Sequence, residues 1–190
     1  NVTGYDLVGP SVTINVPAAS NYSSASFDFN VTLGENGSVM FSLDGGSTNY
    51  TMDSTDNQNF NYTNSSVADG SYTFQVYAND TLGNTNHTEN VNFTIDTTNP
   101  AVTIVSPTNH TNSSDTGLNI LYTATDTNLD SCWYSNDTYS ENTTLSSCAN
   151  ITSVTWSEGS HNVTIWANDS AGNEISSGKH FFTIDTTAPI

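Results

Sequence analysis

The sequence has almost no positive charge. Lys179 is the single basic side chain among 190 residues and arginine does not occur, against 19 acidic residues and a formal net charge of -18. A surface of that sign repels nucleic acid and anionic membrane, whose binding rests on Lys and Arg neutralising phosphate. The acid content is ordinary, so the oddity is missing cation rather than excess carboxylate; cation binding or a salty habitat is compatible with it and not required by it. No stretch approaches the roughly 18 consecutive apolar residues of a membrane span, and no charged-then-apolar signal segment opens the chain, which reads as a mature or excised product with no membrane insertion of its own. Catalytic signatures are also missing. His87, His110, His161 and His180 lie apart without metal-ligand spacing, and there is no Gly-x-Ser-x-Gly elbow or phosphate-cradling loop. Paired carboxylates could still meet in space, but the acidic residues sit in turn sequences, and the chain is read as a non-enzyme.

What the chain does have is small polar residues. Serine and threonine number 56 and asparagine 26, so 82 of 190 positions carry a side chain suited to strands, turns and glycans. Disorder is the competing reading of so polar a composition. Against it stand the 20 aromatic residues spaced along the chain, which supply large apolar faces.

A repeat organises the sequence. Asp69 to Pro100 aligns without gaps on Glu158 to Pro189 at an offset of 89, with 14 identities in 32 positions. Pro10-Ser-Val-Thr-Ile matches Pro100-Ala-Val-Thr-Ile at 90, and Phe27-Asp-Phe-Asn-Val matches Leu118-Asn-Ile-Leu-Tyr at 91. Apolar residues alternate within each repeat, as they do when one strand face packs on a core and the other meets water. Phe27, Phe29, Val31 and Leu33 share a face, matched by Leu118, Ile120, Tyr122 and Ala124. Phe74, Val76 and Ala78 match Val163, Ile165 and Ala167, while Val91, Phe93 and Ile95 match His180, Phe182 and Ile184. Short strands between Gly, Asn, Asp and Ser turns predict an all-β chain of two tandem antiparallel β-sandwich domains. Residues 1–10 form an N-terminal strand and linker, 11–96 the first domain, 97–100 a linker, 101–185 the second domain and 186–190 a C-terminal linker.

The turn Ala-Asn-Asp-x-x-Gly-Asn (Ala78 to Asn84 and Ala167 to Asn173), followed by Phe-Thr-Ile-Asp-Thr-Thr-x-Pro, resembles the immunoglobulin-like repeats of archaeal surface proteins and large bacterial adhesins. That resemblance covers essentially the whole chain and implies immunoglobulin-like sandwiches at an extracellular or cell-surface location. It implies less about function, because such repeats serve stalks, filaments, surface layers and adhesins alike. The antibody pattern of two cysteines bridging facing sheets around a Trp is absent, since Cys132 and Cys148 both lie mid-domain beside Trp133.

Cys132 and Cys148 enclose 15 residues, a span that neighbouring strands and their connection can close. A disulfide is expected in an oxidising compartment, the alternative being two buried thiols. Seventeen asparagines stand in Asn-x-Ser/Thr sequons: Asn1, Asn21, Asn30, Asn36, Asn49, Asn61, Asn64, Asn79, Asn86, Asn92, Asn109, Asn112, Asn136, Asn142, Asn150, Asn162 and Asn168. This composition gives about eight by chance, half the observed number. N-linked glycans are therefore expected, with Asn30, Asn79, Asn92, Asn162 and Asn168 at outward parity; the alternative is a by-product of Asn- and Thr-rich strands.

A sandwich of this topology brings the entering linker towards the loops after its second and sixth strands. For the second domain this directs Asp96 towards Asp126, Asn128 and Asp130 and towards Asp169 and Asn173, a set of hard oxygen donors suited to calcium. The linker also resembles adhesin junctions that calcium stiffens, whereas ordinary turn formation is the plainer role of these residues. The termini suggest an end-to-end array. Asp6 to Pro10 aligns with Asp96 to Pro100, so Asn1 to Tyr5 fall in the register of a preceding domain's last strand. Further repeats or identical subunits are then head-to-tail partners, and frayed ends of an excised segment are the rival. The expected function is a structural module of a filament, stalk or surface coat. The alternative is an adhesin-type module binding carbohydrate or cells, with Tyr77 and Trp166 as outward aromatic candidates.

Overall fold

The computed structural model describes residues 6–139 and 142–189, and the chain divides into two compact units, Asn1–Thr97 and Thr98–Ile190. Asn1 and the strand expected over residues 1–5 lie outside the described residues, as does the last residue of the C-terminal linker.

The first unit contains β1 (Val12–Val16), β2 (Asn21–Tyr22), β3 (Phe27–Leu33), β4 (Gly37–Ser42), β5 (Tyr50–Thr51), β6 (Asp53–Ser54), β7 (Asn59–Asn64), β8 (Gly70–Asp80), β9 (Thr85–Asn86) and β10 (Asn90–Ile95). One sheet has the order β1-β3-β7-β6; the other has β2-β10-β8-β4-β5, with β9 on β8. Pairings are antiparallel except the short β2–β10 contact. The alternation in β3 is the reason for its place: Phe27, Phe29, Val31 and Leu33 are all buried. Phe29 lies 4.9 Å from Phe41 and 5.0 Å from Phe74 by ring centroids, so the two sheets meet through aromatic contact. The opposite face of β3 carries a row of amides. Asn15 donates through Nδ2 to Asn30 Oδ1 (2.5 Å), and Asn30 donates to Asn61 Oδ1 (2.6 Å) across β1, β3 and β7. Thr32 donates to Asn59 in the next row.

The second unit contains β11 (Ala101–Ser106), β12 (Thr111–Ser113), β13 (Leu121–Thr125), β14 (Leu129–Asn136), β15 (Thr143–Leu145), β16 (Gly159–Asp169), β17 (Glu174–Ser176) and β18 (His180–Ile184). Its large sheet, β12-β18-β16-β14-β15 with β17 on β16, repeats that of the first unit. The core holds Ile120, Tyr122, Trp156, Val163, Ile165, Phe182 and Ile184, with Leu118 and Ala124 packed against it. The small sheet is reduced to β11–β13. Where the first unit pairs β7 along β3, the second has one bridge, Ile120 to Ile151, with Asn150 Oδ1 accepting the Tyr122 N–H at 2.9 Å. The segment leading there is tied instead by the Cys132–Cys148 disulfide, whose Cα atoms are 5.1 Å apart. Val39, which pairs with Ala78 as Cys132 pairs with Ala167, occupies that place in the first unit.

The two units close the entry to their longest strand differently. Tyr72 donates its hydroxyl to the Ala68 carbonyl at 2.8 Å, the corner that a tyrosine makes in many sandwiches. At the equivalent position His161 holds the Ser157 carbonyl through Nε2, also at 2.8 Å.

Candidate functional site

None of the sixteen described sequon asparagines is buried. The five assigned outward parity are exposed (Asn79, Asn92) or half-buried (Asn30, Asn162, Asn168), because each alternates with a core residue on its strand. Several hold their amides in place through Oδ1. Asn64 accepts the Ser66 N–H, and Asn86 accepts both the N–H and the hydroxyl of Thr88, the third residue of its own sequon. Asn109 accepts the Phe181 N–H, and Asn168 accepts the Ser131 N–H (3.2 Å) and Oγ–H (2.5 Å). Asn30 and Asn86 commit the nitrogen as well: Asn30 donates to Asn61, its direct partner across β3–β7, and Asn86 donates to the Pro10 carbonyl.

The repeated turn has a physical explanation in its aspartate. Asp80 Oδ1 accepts the N–H groups of Leu82 and Asn84, each at 2.8 Å, and Oδ2 accepts Asn84 Nδ2 at 2.7 Å. Asp169 makes the same three bonds with Ala171 and Asn173. The glycine sits at φ +89° in the first turn and +90° in the second, a left-handed conformation that a side chain resists. Burial raises the Asp80 pKa, but the Asn84 and Leu82 donors outweigh it and hold the carboxyl below its ordinary value. The Asp-Thr-Thr linker is anchored in a repeated manner too. Thr97 N–H and Oγ–H reach Asp69, and Thr186 N–H and Oγ–H reach Glu158.

In the first unit, carboxylate oxygens of Asp6, Glu35 and Asp80 lie within 4.8 Å of one another. In the second unit, those of Asp126 and Asp169 do so. Asp126 also accepts the Asn128 N–H at 2.7 Å, and the Asn128 carbonyl accepts the Ser170 N–H. Asp130 is exposed at the bulge between Leu129 and Ser131 and does not join them. Asp96 belongs to the first unit, where its N–H donates to the Tyr22 carbonyl at 2.9 Å. Hard oxygen donors at such separations fit a divalent cation such as calcium. Sequence reasoning passed over the group in the first unit. The signal was there, because Asp6, Glu35 and Asp80 align with Asp96, Asp126 and Asp169 at offsets of 90, 91 and 89.

Aromatic side chains occupy the outer face of each large sheet. Trp166 stands opposite Trp133 in register; the indole planes are parallel to within 1°, with centroids 6.5 Å apart, and both rings are half-buried. Tyr139 meets Trp166 edge-on at 6.4 Å, and Lys179 Nζ lies 4.4 Å from the Tyr139 ring centroid. In the first unit Tyr77 faces Met40 across the strands and has His87 at 6.2 Å. Trp133, Tyr139 and Lys179 were not picked out from the sequence, since nothing in Trp133's immediate neighbours marks it as outward.

Residues 15–97 match the bacterial Ig-like domain family. That match spans most of the first unit, and the second repeats its large-sheet strand order and turn sequences. Among solved structures the chain is similar to the fibronectin(III)-like modules of Clostridium thermocellum CbhA, at 16% identity and a TM-score of 0.52, covering 92% of this chain and 94% of that one. It is also similar to the chicken CNTN1 FN1-FN3 domains, at 12% identity and a TM-score of 0.46, covering 94% of this chain and 67% of that one. No curated protein is similar to it in sequence.

Proposed function

We propose that these immunoglobulin-like repeats form a structural, N-glycosylated, extracellular module of a filament, stalk or surface coat, assembled end to end with further repeats or identical subunits. The observation that carries this reading is the surface position of every described sequon asparagine, in a chain with twice the sequons its composition predicts. A sugar can be attached at such positions without opening either core. Asn30 and Asn86, whose nitrogens already serve protein acceptors, are the least available acceptors once the units have folded. Near-absence of Lys and Arg withholds cleavage points from basic-specific proteases, and a sugar shell covers sheet edges that would recruit foreign strands. Calcium is the cofactor that the grouped carboxylates fit; the fold itself supports a structural or binding role rather than catalysis. The test is the intact mass of the native material: an excess over the 20.3 kDa polypeptide that chemical deglycosylation removes. A mass equal to the bare chain would end the proposal.

A second reading, an adhesin-type carbohydrate- or cell-binding module, draws on the partly exposed Tyr77 and Trp166. Selective binding on a glycan array that disappears in Trp166→Ala supports it, and indifference of the array rejects it.

A further inference from the structure

We infer that the paired indoles of Trp133 and Trp166 are the bed on which the first sugars of an N-linked glycan on Asn168 rest. This goes beyond the presence of glycans, on which it depends, to a defined contact between one glycan and the fold.

The argument begins with spacing. Trp166-Ala167-Asn168 lies in β16, where residues two apart share a face, and the intervening Ala167 is buried in the core. Across the sheet, Ser131 pairs with Asn168 and Trp133 with Trp166, so the acceptor and the indole pair occupy successive rungs of one ladder. Two residues of strand separate them by about 6.8 Å, within reach of a ring attached to the asparagine. The side chain is also oriented. Ser131 holds Oδ1 of Asn168 through two hydrogen bonds, leaving Nδ2, the atom that carries a glycan, as the end not tied to β14.

The surface beside it suits a sugar. One face of a pyranose presents C–H groups with partial positive charge, which the negative face of an indole attracts while the hydroxyls stay in water. Two parallel, half-exposed indoles give an uncharged aromatic strip for that face. Tyr139 walls one end of the strip, fixed by the Thr164 hydroxyl at 3.1 Å and by Lys179 over its ring. Covering the strip also removes apolar area from water. The first unit repeats the sequence arrangement as Tyr77-Ala78-Asn79, but Met40 stands in the place of Trp133. A weaker contact is expected there.

Native glycoprotein carrying Ser170→Ala provides the test. The change removes the sequon hydroxyl while keeping Asn168 and the Ser170 N–H that donates to Asn128. Glycopeptide mass spectrometry should find sugar on Asn168 in the wild type and in Ser170→Thr, and none in Ser170→Ala. Tryptophan emission should shift to the red in Ser170→Ala alone, because Trp156 is buried and only Trp133 and Trp166 gain water. Trp166→Ala should cost about fivefold more in the unfolding equilibrium when the sequon is intact than in the Ser170→Ala background. Unchanged emission together with equal costs, on protein that carries the Asn168 glycan, overturns the contact and leaves glycosylation standing. Glycans at other sites with none on Asn168 overturn it as well, and glycans nowhere remove the proposed function with it.

Discussion

Raising the pH from 6 to 9 should weaken the second unit through His161, which stands where the first unit has Tyr72. His161 is 7% exposed and packs 5.3 Å from Trp156 and 5.5 Å from Phe182 by ring centroids. Nε2 lies 2.8 Å from the Ser157 carbonyl and Nδ1 lies 2.9 Å from Asp137 Oδ2, the one carboxylate within ion-pair distance among the described residues. Both partners are acceptors, so the geometry is satisfied when both ring nitrogens carry protons. Burial works against that charge, but the Ser157 carbonyl and the Asp137 carboxylate outweigh it and the pKa is raised above the ordinary histidine value. The sign follows from the raised folded value. The stabilisation is fully present below the unfolded-chain pKa and is lost as pH climbs through the folded one. Between those two values stability falls by about 1.4 kcal/mol per pH unit, then levels off. Asp137→Asn keeps an acceptor for the Asn162 N–H but lets the ring bond as neutral imidazole, so it should flatten the slope and cost about 2 kcal/mol at pH 6. His161→Tyr should flatten the slope by rebuilding the tyrosine corner. Urea unfolding followed by tryptophan fluorescence isolates the effect, because Trp133, Trp156 and Trp166 all belong to the second unit. An undiminished slope in both variants, or an imidazole NMR titration below the ordinary value, would refute the reasoning.

If calcium occupies the grouped carboxylates, chelation should lower the melting temperature and Asp6→Ala and Asp126→Ala should each reduce the response; identical melting curves with calcium and chelator would return these aspartates to turn formation alone. Reducing the Cys132–Cys148 bond, which encloses 15 residues, should cost the second unit about 3 kcal/mol with the first unit unaffected, and equal tryptophan-monitored midpoints before and after reduction would contradict this. Asp44 accepts the Thr48 N–H and the Ser42 hydroxyl, which lower its pKa to about 2. Its contribution should persist above the ordinary aspartate range and disappear only as pH falls through that lowered value, so a carboxyl NMR titration near the ordinary value counts against the turn geometry.

The strand faces were legible in the sequence because the alternation is a local property that tertiary contacts reinforce. Phe27 through Leu33 and Val163 through Ala167 occupy the faces that their parity assigned. Residues that reach the core from connections followed no period and went unread. Met52 and Val67 in the first unit and Ile151 and Trp156 in the second are buried by where their loops return, with Trp156 fixed by Nε1 donating to the Leu118 carbonyl at 2.8 Å. The His161 corner was visible as a mismatch with Tyr72 in the ungapped alignment. Its meaning needed the Ser157 and Asp137 partners, one four residues away and the other 24. The Asp-x-x-Gly-Asn turns were recognised as a motif, but only the geometry gives the reason, since the aspartate satisfies the turn's own N–H groups.

The amide row across β1, β3 and β7 has a consequence for how the fold responds to ionic strength. Sheet surfaces commonly register neighbouring strands with Lys–Glu pairs, which added salt loosens. Here Asn15, Asn30 and Asn61 register three strands through neutral groups, and the described residues contain a single ion pair, the half-shielded His161–Asp137 contact. Salt therefore has almost no attraction to weaken, while the repulsion among carboxylates carrying a net charge of -18 remains to be screened. As the screening length shrinks from about 10 Å at 0.1 M to about 3 Å at 1 M, one screened attraction stands against the relief of many repulsions, and the protein is expected to be more stable in brine than in dilute buffer.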